Sequence, residues 1–313
     1  MKVITYRKFF LVFSALVMAV SLFAIIYDGL TLSIDFTGGS LMEVRYPAED
    51  NASDIDEARP LIARVRGALD KLQLGGYQLQ PIAEDGYLVR TRSLSESERA
   101  TVFNAFSMDG VYEPAQERFT SIGPSVGAEL ARKALIALVL VSLAIVLFVA
   151  YAFRKVSDPV SSWKYGMVAI VTLIHDILVP SGVFAVLGIA AGVEIDILFV
   201  TALLAILGYS VNDTIVVFDR IRENLSRNKE NRTHESFAET VGKSLQQTYM
   251  RSVNTSLTTA LVLAALLFFG GESTRYFSLA LLIGVVAGTY SSIFFASPLL
   301  VAVAGRGADD TTK

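Results

Sequence analysis

Two adjacent polar residues, Asn212 and Asp213, interrupt an apolar run that is long enough to cross a bilayer. Hydrocarbon cannot solvate a charge, so an ionisable side chain in such a run is destabilising unless it faces protein or trapped water. A carboxylate there can take up and release a proton, and intramembrane carboxylates mark proton and ion pathways. We therefore expect Asp213 to be central to function; the alternative is a purely structural hydrogen bond.

A second polar pair, His175 and Asp176, lies in another apolar run. Histidine changes charge near neutral pH more readily than other side chains, so His175 and Asp213 would together form a proton relay. Neighbouring residues point about 100° apart on a helix, which separates the directions of His175 and Asp176. The competing interpretation is that His175 only hydrogen-bonds a neighbouring helix.

A basic residue, Arg251, begins a further apolar run. If its long side chain reaches Asp213, its charge stabilises the ionised carboxylate, which predicts a switch between a protonated and a charge-paired state. The alternative is that Arg251 extends to the membrane surface, and the sequence leaves both open. Gly208 is predicted to kink the helix that carries Asp213.

Composition indicates the setting of these residues. The chain has 313 residues, of which 53% are hydrophobic and 18% charged, and its mean hydropathy is +0.51, which is typical of a multi-pass membrane protein. A net charge of −3 gives no sign of nucleic-acid binding. The absence of cysteine excludes disulfides, thiolate metal sites and cysteine nucleophiles, and the two histidines, His175 and His234, are too far apart in sequence to suggest a metal site.

No motif of a nucleotide-binding loop, a serine hydrolase or a zinc protease occurs in the chain. We therefore expect no enzymatic activity and no cofactor, nucleotide or metal. The transmembrane proton gradient is the natural energy source for an intramembrane carboxylate.

Six apolar runs of about 20 residues are predicted to be transmembrane helices. Their bounds are Phe9–Tyr27, Arg132–Phe153, Gly166–Ala190, Ile195–Phe218, Val253–Gly270 and Tyr276–Ala304. The first is longer than the apolar core of a signal peptide and lacks a clear cleavage site, so we interpret it as a retained helix; a cleaved signal is the alternative.

Lysine and arginine in the short connections predict the orientation. They place the N-terminal tail (1–8), the C-terminal tail (305–313) and the connection at 219–252 in the cytoplasm, and residues 28–131 outside as an extracytoplasmic domain. Within 219–252, the apolar residues Phe237, Val241 and Leu245 recur every four positions. This pattern predicts an amphipathic helix on the membrane surface, or equally a connector packed on the bundle.

The outer domain is predicted to be a ferredoxin-like α+β module, with the element order β-α-β-β-α-β after a leading strand. The predicted strands are Leu32–Phe36, Ser40–Tyr46, Tyr77–Ile82, Tyr87–Thr91 and Val111–Ile122, and the predicted helices are Ala52–Leu72 and Ser95–Phe106. The sequence Glu84-Asp85-Gly86 predicts a tight hairpin turn between the third and fourth strands.

Two segments resemble signatures of the SecD and SecF protein-export family: Ile34–Ser40 (IDFTGGS) and Gly208–Asn224 (GYSVNDTIVVFDRIREN), the latter resembling the fourth span of SecF members. The resemblance extends over nearly the whole chain and is loose only between Ala48 and Gln116. Further matching positions are Ile122–Gly127, which includes Gly123 and Pro124, the pair His175–Asp176, and Arg251–Ser256.

The resemblance implies one half of a SecDF complex of the bacterial inner membrane, related to the resistance-nodulation-division transporters. Such a complex works beside the SecYEG channel, and proton flow drives its outer domains to pull an unfolded preprotein across. The implied partners are SecD and SecYEG, with YajC and YidC as further candidates. By position, Asp213 resembles the proton-responsive carboxylate, Arg251 its basic modulator, and Asn212 an adjoining member of the motif.

In the same resemblance, Asp35, Gly38 and Gly39 form a signature at the base of the outer domain. The two glycines would allow a tight turn or a close approach to the second span, or would mark a simple strand bulge. Two other functions remain open from the sequence: a half-transporter for a lipid or drug, and a structural membrane scaffold that needs no charge at position 213.

Overall fold

The computed structural model describes residues 2–46, 59–82, 85–152, 161–233 and 235–304. The chain divides into two compact units, which we call the helical bundle (Met1–Thr31 and Leu135–Lys313) and the sheet domain (Leu32–Ala134). Within the described residues, six helices are long and apolar enough to cross a membrane. This confirms the predicted class, a multi-pass helical protein with a small α+β domain between its first two spans.

The elements follow one another in a simple order. They are α1 Lys2–Thr5, α2 Arg7–Asp28, α3 Ile34–Thr37, β1 Gly39–Arg45, α4 Ile62–Asp70, β2 Tyr77–Ile82, β3 Gly86–Thr91, α5 Glu96–Phe106, β4 Ala115–Ile122, α6 Pro124–Ala152, α7 Ser162–Ala191, α8 Ile197–Glu230, α9 Phe237–Phe269, α10 Glu272–Tyr290, a π-helix Ser291–Ala296, and α11 Ser297–Ala304. The last three elements follow one another directly and together form the sixth span.

The sheet domain has one four-stranded sheet of order β2-β3-β1-β4 with antiparallel neighbours. This is the predicted β-α-β-β-α-β arrangement. Alternate residues of β1 point into one core, where Met42 and Val44 pack with Val65 of α4 and Phe106 of α5, all at most 1% exposed. Burial of each such side chain contributes about 1.5–3 kcal/mol.

Two predicted strands of the sheet domain differ from the structure. The predicted strand Leu32–Phe36 is wrong, because the Ser33 hydroxyl accepts a hydrogen bond from the Asp35 amide (3.2 Å) and starts the helical turn α3. The last strand begins at Ala115 rather than Val111, because Met108 and Asp109 adopt positive φ angles in a turn.

The helix predicted at Ala52–Leu72 is described only in part. Its structure begins at Ile62, after Pro60, and ends at Asp70; residues 47–58 lie outside the described residues. Residues 83–84 of the predicted hairpin turn, His234 and the predicted C-terminal tail also lie outside them.

The connection predicted at 219–252 is largely helical among the described residues. Helix α8 continues to Glu230, and α9 runs without interruption from Phe237 through the fifth span. The expected surface helix is therefore the first part of α9, and its apolar stripe packs on protein: Val241 and Leu245 are fully buried in a core that includes Ile221 of α8 and Val3 of α1. The packing agrees with the interpretation as a connector on the bundle, and the position relative to the membrane surface stays a prediction.

Candidate functional site

Helix α8 places Asp213 inside the bundle. The helix begins at a cap in which Asp196 accepts a hydrogen bond from the Phe199 amide (2.8 Å). It is continuous through Gly208, and a Cβ on Gly208 would meet nothing within 4 Å. Asp213 is 5% exposed, and its Oδ2 atom is buried without a hydrogen-bond partner among the described residues. A buried oxygen without a donor is destabilising when charged, so this atom is suited to carry a proton.

Helix α9 supplies the polar groups nearest to that carboxylate. Ser252 and Ser256 are buried there and interact with Asp213, although the Oγ atom of Ser252 makes no hydrogen bond of good geometry. Ser256 accepts hydrogen bonds from Tyr209 (3.3 Å) and Thr289 (2.6 Å), which tie α9 to α8 and α10. Asp213 thus lies at the junction of α8 and α9, beside hydroxyl groups that can turn to serve either protonation state.

Arg251 of α9 is the basic residue that the sequence predicts as the partner of this carboxylate. Its side chain is exposed, and the two described side chains form no direct ion pair. Asn212, the neighbour of Asp213, is also exposed on the single chain. The predicted approach of Arg251 to Asp213 is therefore not present as a contact between the described side chains, and the roles of Arg251 and Asn212 stay predictions.

A second buried carboxylate, Asp176, lies where α7 meets α8 and the π-helix. Its Oδ1 atom is hydrogen-bonded to Nδ1 of His175 (2.8 Å), and its Oδ2 atom accepts hydrogen bonds from Ser210 of α8 and from Ser291 of the π-helix (2.9 Å). Asp176 is 0% exposed and His175 1%. The two side chains therefore lie together, despite the roughly 100° between their directions on the helix, because both are enclosed by neighbouring helices.

The predicted relay between His175 and Asp213 has no direct hydrogen bond in the described structure. The carboxylate that His175 contacts is Asp176, and its other nitrogen, Nε2, is buried without a hydrogen-bond partner there. The ring packs instead against Tyr290 and Phe295, with centroid distances of 6.0 and 5.4 Å. The alternative, a hydrogen bond from His175 to a neighbouring helix, is not seen among the described residues either, because Asp176 lies on the same helix as His175.

The sixth span contributes residues that sequence reasoning missed. The π-helix places Ser291 against Asp176 and Ser292 against Thr214 (2.9 Å), and π-helical turns frequently occur at functional sites. Gly284 and Gly288 bring α10 close to α8, because a Cβ on Gly284 would lie 2.2 Å from Ile206. The Gly-x-x-x-Gly spacing in an apolar span is the signal that would have predicted this close packing.

The glycine pair Gly38–Gly39 lies within the sheet domain, where α3 joins β1, and Gly38 packs against the first residue of α6. Gly38 has φ +74°, and a Cβ there would lie 2.6 Å from the Cα atom of Pro124; on Gly39 (φ +137°) it would lie 2.7 Å from the Thr91 carbonyl oxygen. The approach is close on both sides, because a Cβ on Gly127 of α6 would lie 2.7 Å from the Gly38 backbone nitrogen. Gly38 thus permits a close approach to the start of the second span, and Gly39 a close approach to β3. Asp35 lies in the α3 turn, and Gly123 precedes α6.

Gly38→Ala is expected to destabilise the sheet domain, because alanine is strained at positive φ and would clash with the Pro124 backbone. A cost of about 1–3 kcal/mol corresponds to about 5- to 150-fold faster amide exchange of β1, measured by hydrogen–deuterium exchange on the full chain. The matched control is Gly67→Ala in α4, where a Cβ would meet nothing within 4 Å. Because alanine is more favourable than glycine within a helix, this variant should slow amide exchange. Equal exchange rates in the two variants would show that the close approach is unimportant.

The described residues contain no group of three or more histidine, cysteine, aspartate or glutamate side chains that is arranged to hold a metal ion. The groups that the described structure brings together are two buried carboxylates with hydroxyl groups beside them, and carboxylates within a span are able to bind and release protons.

Comparison with known proteins is consistent along the chain. Residues 104–306 match the family model described as protein export membrane protein SecD/SecF, C-terminal, and residues 24–46 match the SecD/SecF GG motif. The protein translocase subunit SecF of Thermobaculum terrenum is 44% identical over 96% of this chain and 92% of that protein. The SecF subunit of Anaerolinea thermophila is 37% identical over 87% of this chain and 84% of that protein.

A solved structure is similar as well. The crystal structure of SecDF, a translocon-associated membrane protein from Thermus thermophilus, superposes with a TM-score of 0.78 at 32% identity. The match covers 97% of this chain and 38% of the SecDF chain. The present chain therefore corresponds to a little over a third of that longer protein.

Proposed function

Because the chain belongs to the SecD/SecF family of protein-export membrane proteins, we propose that it uses the proton motive force to promote preprotein translocation through the SecYEG channel and release on the outer side. The observation that carries this proposal is Asp213, a carboxylate buried within a span, whose Oδ2 atom has no hydrogen-bond partner among the described residues. An efflux half-transporter or a scaffold would not explain why the relatives are translocase subunits.

In this proposal the two protonation states of Asp213 favour different packing of α8 on α9. The neutral acid fits the apolar setting, whereas the ionised form requires the charge of Arg251 and hydroxyl hydrogen bonds from Ser252 and Ser256. Each proton taken up and released therefore shifts the balance between two helix arrangements. The chain makes and breaks no covalent bond and uses neither nucleotide nor metal.

A second chain completes the site in this proposal. Asn212 exposes an amide within a span, and lipid cannot satisfy its hydrogen-bonding groups. A polar surface of SecD on this face of α8 would satisfy them and shelter Asp213. The complex would lie in the bacterial inner membrane, with both termini of this chain in the cytoplasm, the sheet domain in the periplasm, and YajC and YidC as additional partners.

The association is tested by affinity purification of the full chain from native membranes. A SecD-like chain is expected to co-purify, and Asn212→Leu should lower its yield about three- to tenfold, the value of an intramembrane hydrogen bond. Val186→Leu, at an exposed apolar position of α7, serves as the control and should leave the yield unchanged. Purification without any SecD-like chain would count against the proposal.

A further inference from the structure

The hydrogen bonds around Asp176 converge from three directions. His175 contacts one carboxylate oxygen, and Ser210 and Ser291 both donate to the other. The carboxylate thereby joins α7, α8 and the π-helix at one point, and it is fully buried. Both of its oxygens are occupied, in contrast to Oδ2 of Asp213.

The residue that α8 contributes to this junction, Ser210, lies close to Asp213 on that helix. Ser210 precedes Asp213 by less than one helical turn, and Thr214 follows it directly. Ser210 is anchored to the π-helix through Asp176 and Ser291, and Thr214 is anchored directly through Ser292 (2.9 Å). Because residues four apart share a helix face, these anchors fix the rotation of α8 on both sides of Asp213.

The glycines of α10 allow α8 to pack closely against α10 beside the π-helix. A Cβ on Gly288 would lie 3.0 Å from Cβ of Ser210, and the carbonyl oxygen of Gly288 accepts a hydrogen bond from Ser292 (2.9 Å). The Ser291 hydroxyl lies 3.0 Å from the same carbonyl oxygen, as an alternative acceptor to Asp176 for its single proton. The last turn of α10 and the first turn of the π-helix are therefore one rigid contact surface for α8.

We infer that Asp176 is a positioning residue: it locks α8 to the π-helix in the rotation that directs Asp213 towards α9. This inference rests on the proposed proton-responsive role of Asp213. It assigns different tasks to the two buried carboxylates, since Asp213 changes its protonation state whereas Asp176 holds its neighbours through hydrogen bonds. His175 orients the Asp176 carboxylate from the side opposite to the two serines.

The conservative variant separates positioning from proton transfer. Asparagine at position 176 keeps an oxygen that accepts from Ser210 and Ser291 and an amide that can donate to His175, but it cannot ionise. Asp176→Asn should therefore retain proton-gradient-dependent export within about twofold of wild type, whereas Asp176→Ala should lose about fivefold or more, because buried donors are left unsatisfied. The assay is translocation into inverted membrane vesicles that contain the full complex.

A structural readout accompanies the export assay. Because the chain has no cysteine, the double variant Thr214→Cys, Ser292→Cys reports the contact between α8 and the π-helix by disulfide formation. Cross-linking of this double variant should be efficient when residue 176 is the native Asp176 or is changed by Asp176→Asn, and it should decrease with Asp176→Ala. Ser291→Ala, which removes one of the three hydrogen bonds, should give an intermediate loss and keeps the inference testable if Asp176→Ala does not accumulate.

Ser278→Ala is the matched control, because Ser278 is buried in α10 and its hydrogen bond among the described residues is to the Thr274 carbonyl of the same helix (2.7 Å). Export by this variant should equal wild type. If Asp176→Asn is as defective as Asp176→Ala, or if the cross-link is insensitive to both, the positioning role is refuted. Failure of the proposed function would appear differently, as gradient-dependent export that persists in Asp213→Asn while the cross-linking result still stands.

Discussion

Asp213→Asn is expected to reduce the proton-gradient-dependent part of protein export to background. The amide has nearly the same shape as the carboxyl group and fits the same site between α8 and α9, but it cannot bind and release a proton. The measurement is pulse-chase labelling of an exported protein in cells whose own copy of this subunit has been replaced by the variant. Complex assembly should be unchanged, because the substitution removes a charge rather than volume.

The matched control for this variant is Asp219→Asn. Asp219 lies six residues further along α8, is exposed and pairs with Arg222 at 2.6 Å, and such an exposed pair contributes little. Its replacement removes the same charge from the same helix and should leave export near wild type. Equal export by Asp213→Asn and Asp219→Asn would exclude Asp213 as the proton-responsive group.

Arg251→Gln is expected to have the second largest effect, a reduction of about fivefold to tenfold in gradient-dependent export. In the proposed cycle its positive charge favours ionised Asp213 from a distance, so its loss makes release of the proton less favourable. The expected effect, roughly 1–1.4 kcal/mol, is smaller than for a contacting pair, because Arg251 is exposed and its charge is screened. The same pulse-chase assay measures it, at several external pH values.

Arg251→Lys distinguishes the charge from the guanidinium group. Because the interaction acts at a distance, lysine should restore most of the activity, whereas a bidentate contact would not tolerate it. Arg275→Gln, which removes an exposed arginine from the start of α10, should have no effect. Full activity of Arg251→Gln would show that the charge has no role in the cycle.

Residue type was sufficient to predict Asp213, because a carboxylate in an apolar run is anomalous wherever the helix rotates. It was not sufficient for Ser210, Ser291 and Ser292, since hydroxyl groups are common in membrane helices and their partners depend on which faces meet. The π-helix that directs Ser291 towards Asp176 is a consequence of packing and has no local sequence signal here. Likewise, whether Arg251 reaches inward or outward depends on the rotation of α9, so the sequence left both open.

The sheet domain shows the same division. Alternating apolar residues predicted β1 and its neighbours, and the order of elements predicted the ferredoxin-like topology. The strand expected at Leu32–Phe36 has a suitable alternation, but the local cap at Ser33 outweighs it. The stripe of Phe237, Val241 and Leu245 correctly indicated a helix with one apolar face, while the surface that it covers depends on the extension of α8 beyond the predicted span.

The most direct test of the central claim uses inverted membrane vesicles that contain this chain and a SecD-like partner, in which a preprotein has been arrested late in translocation. The completion of translocation is measured with the proton gradient intact and after its collapse by a protonophore. Wild type should complete translocation only with the gradient, and Asp213→Asn should show the slow, gradient-independent rate under both conditions. A variant that still responds to the gradient as wild type does would contradict the account.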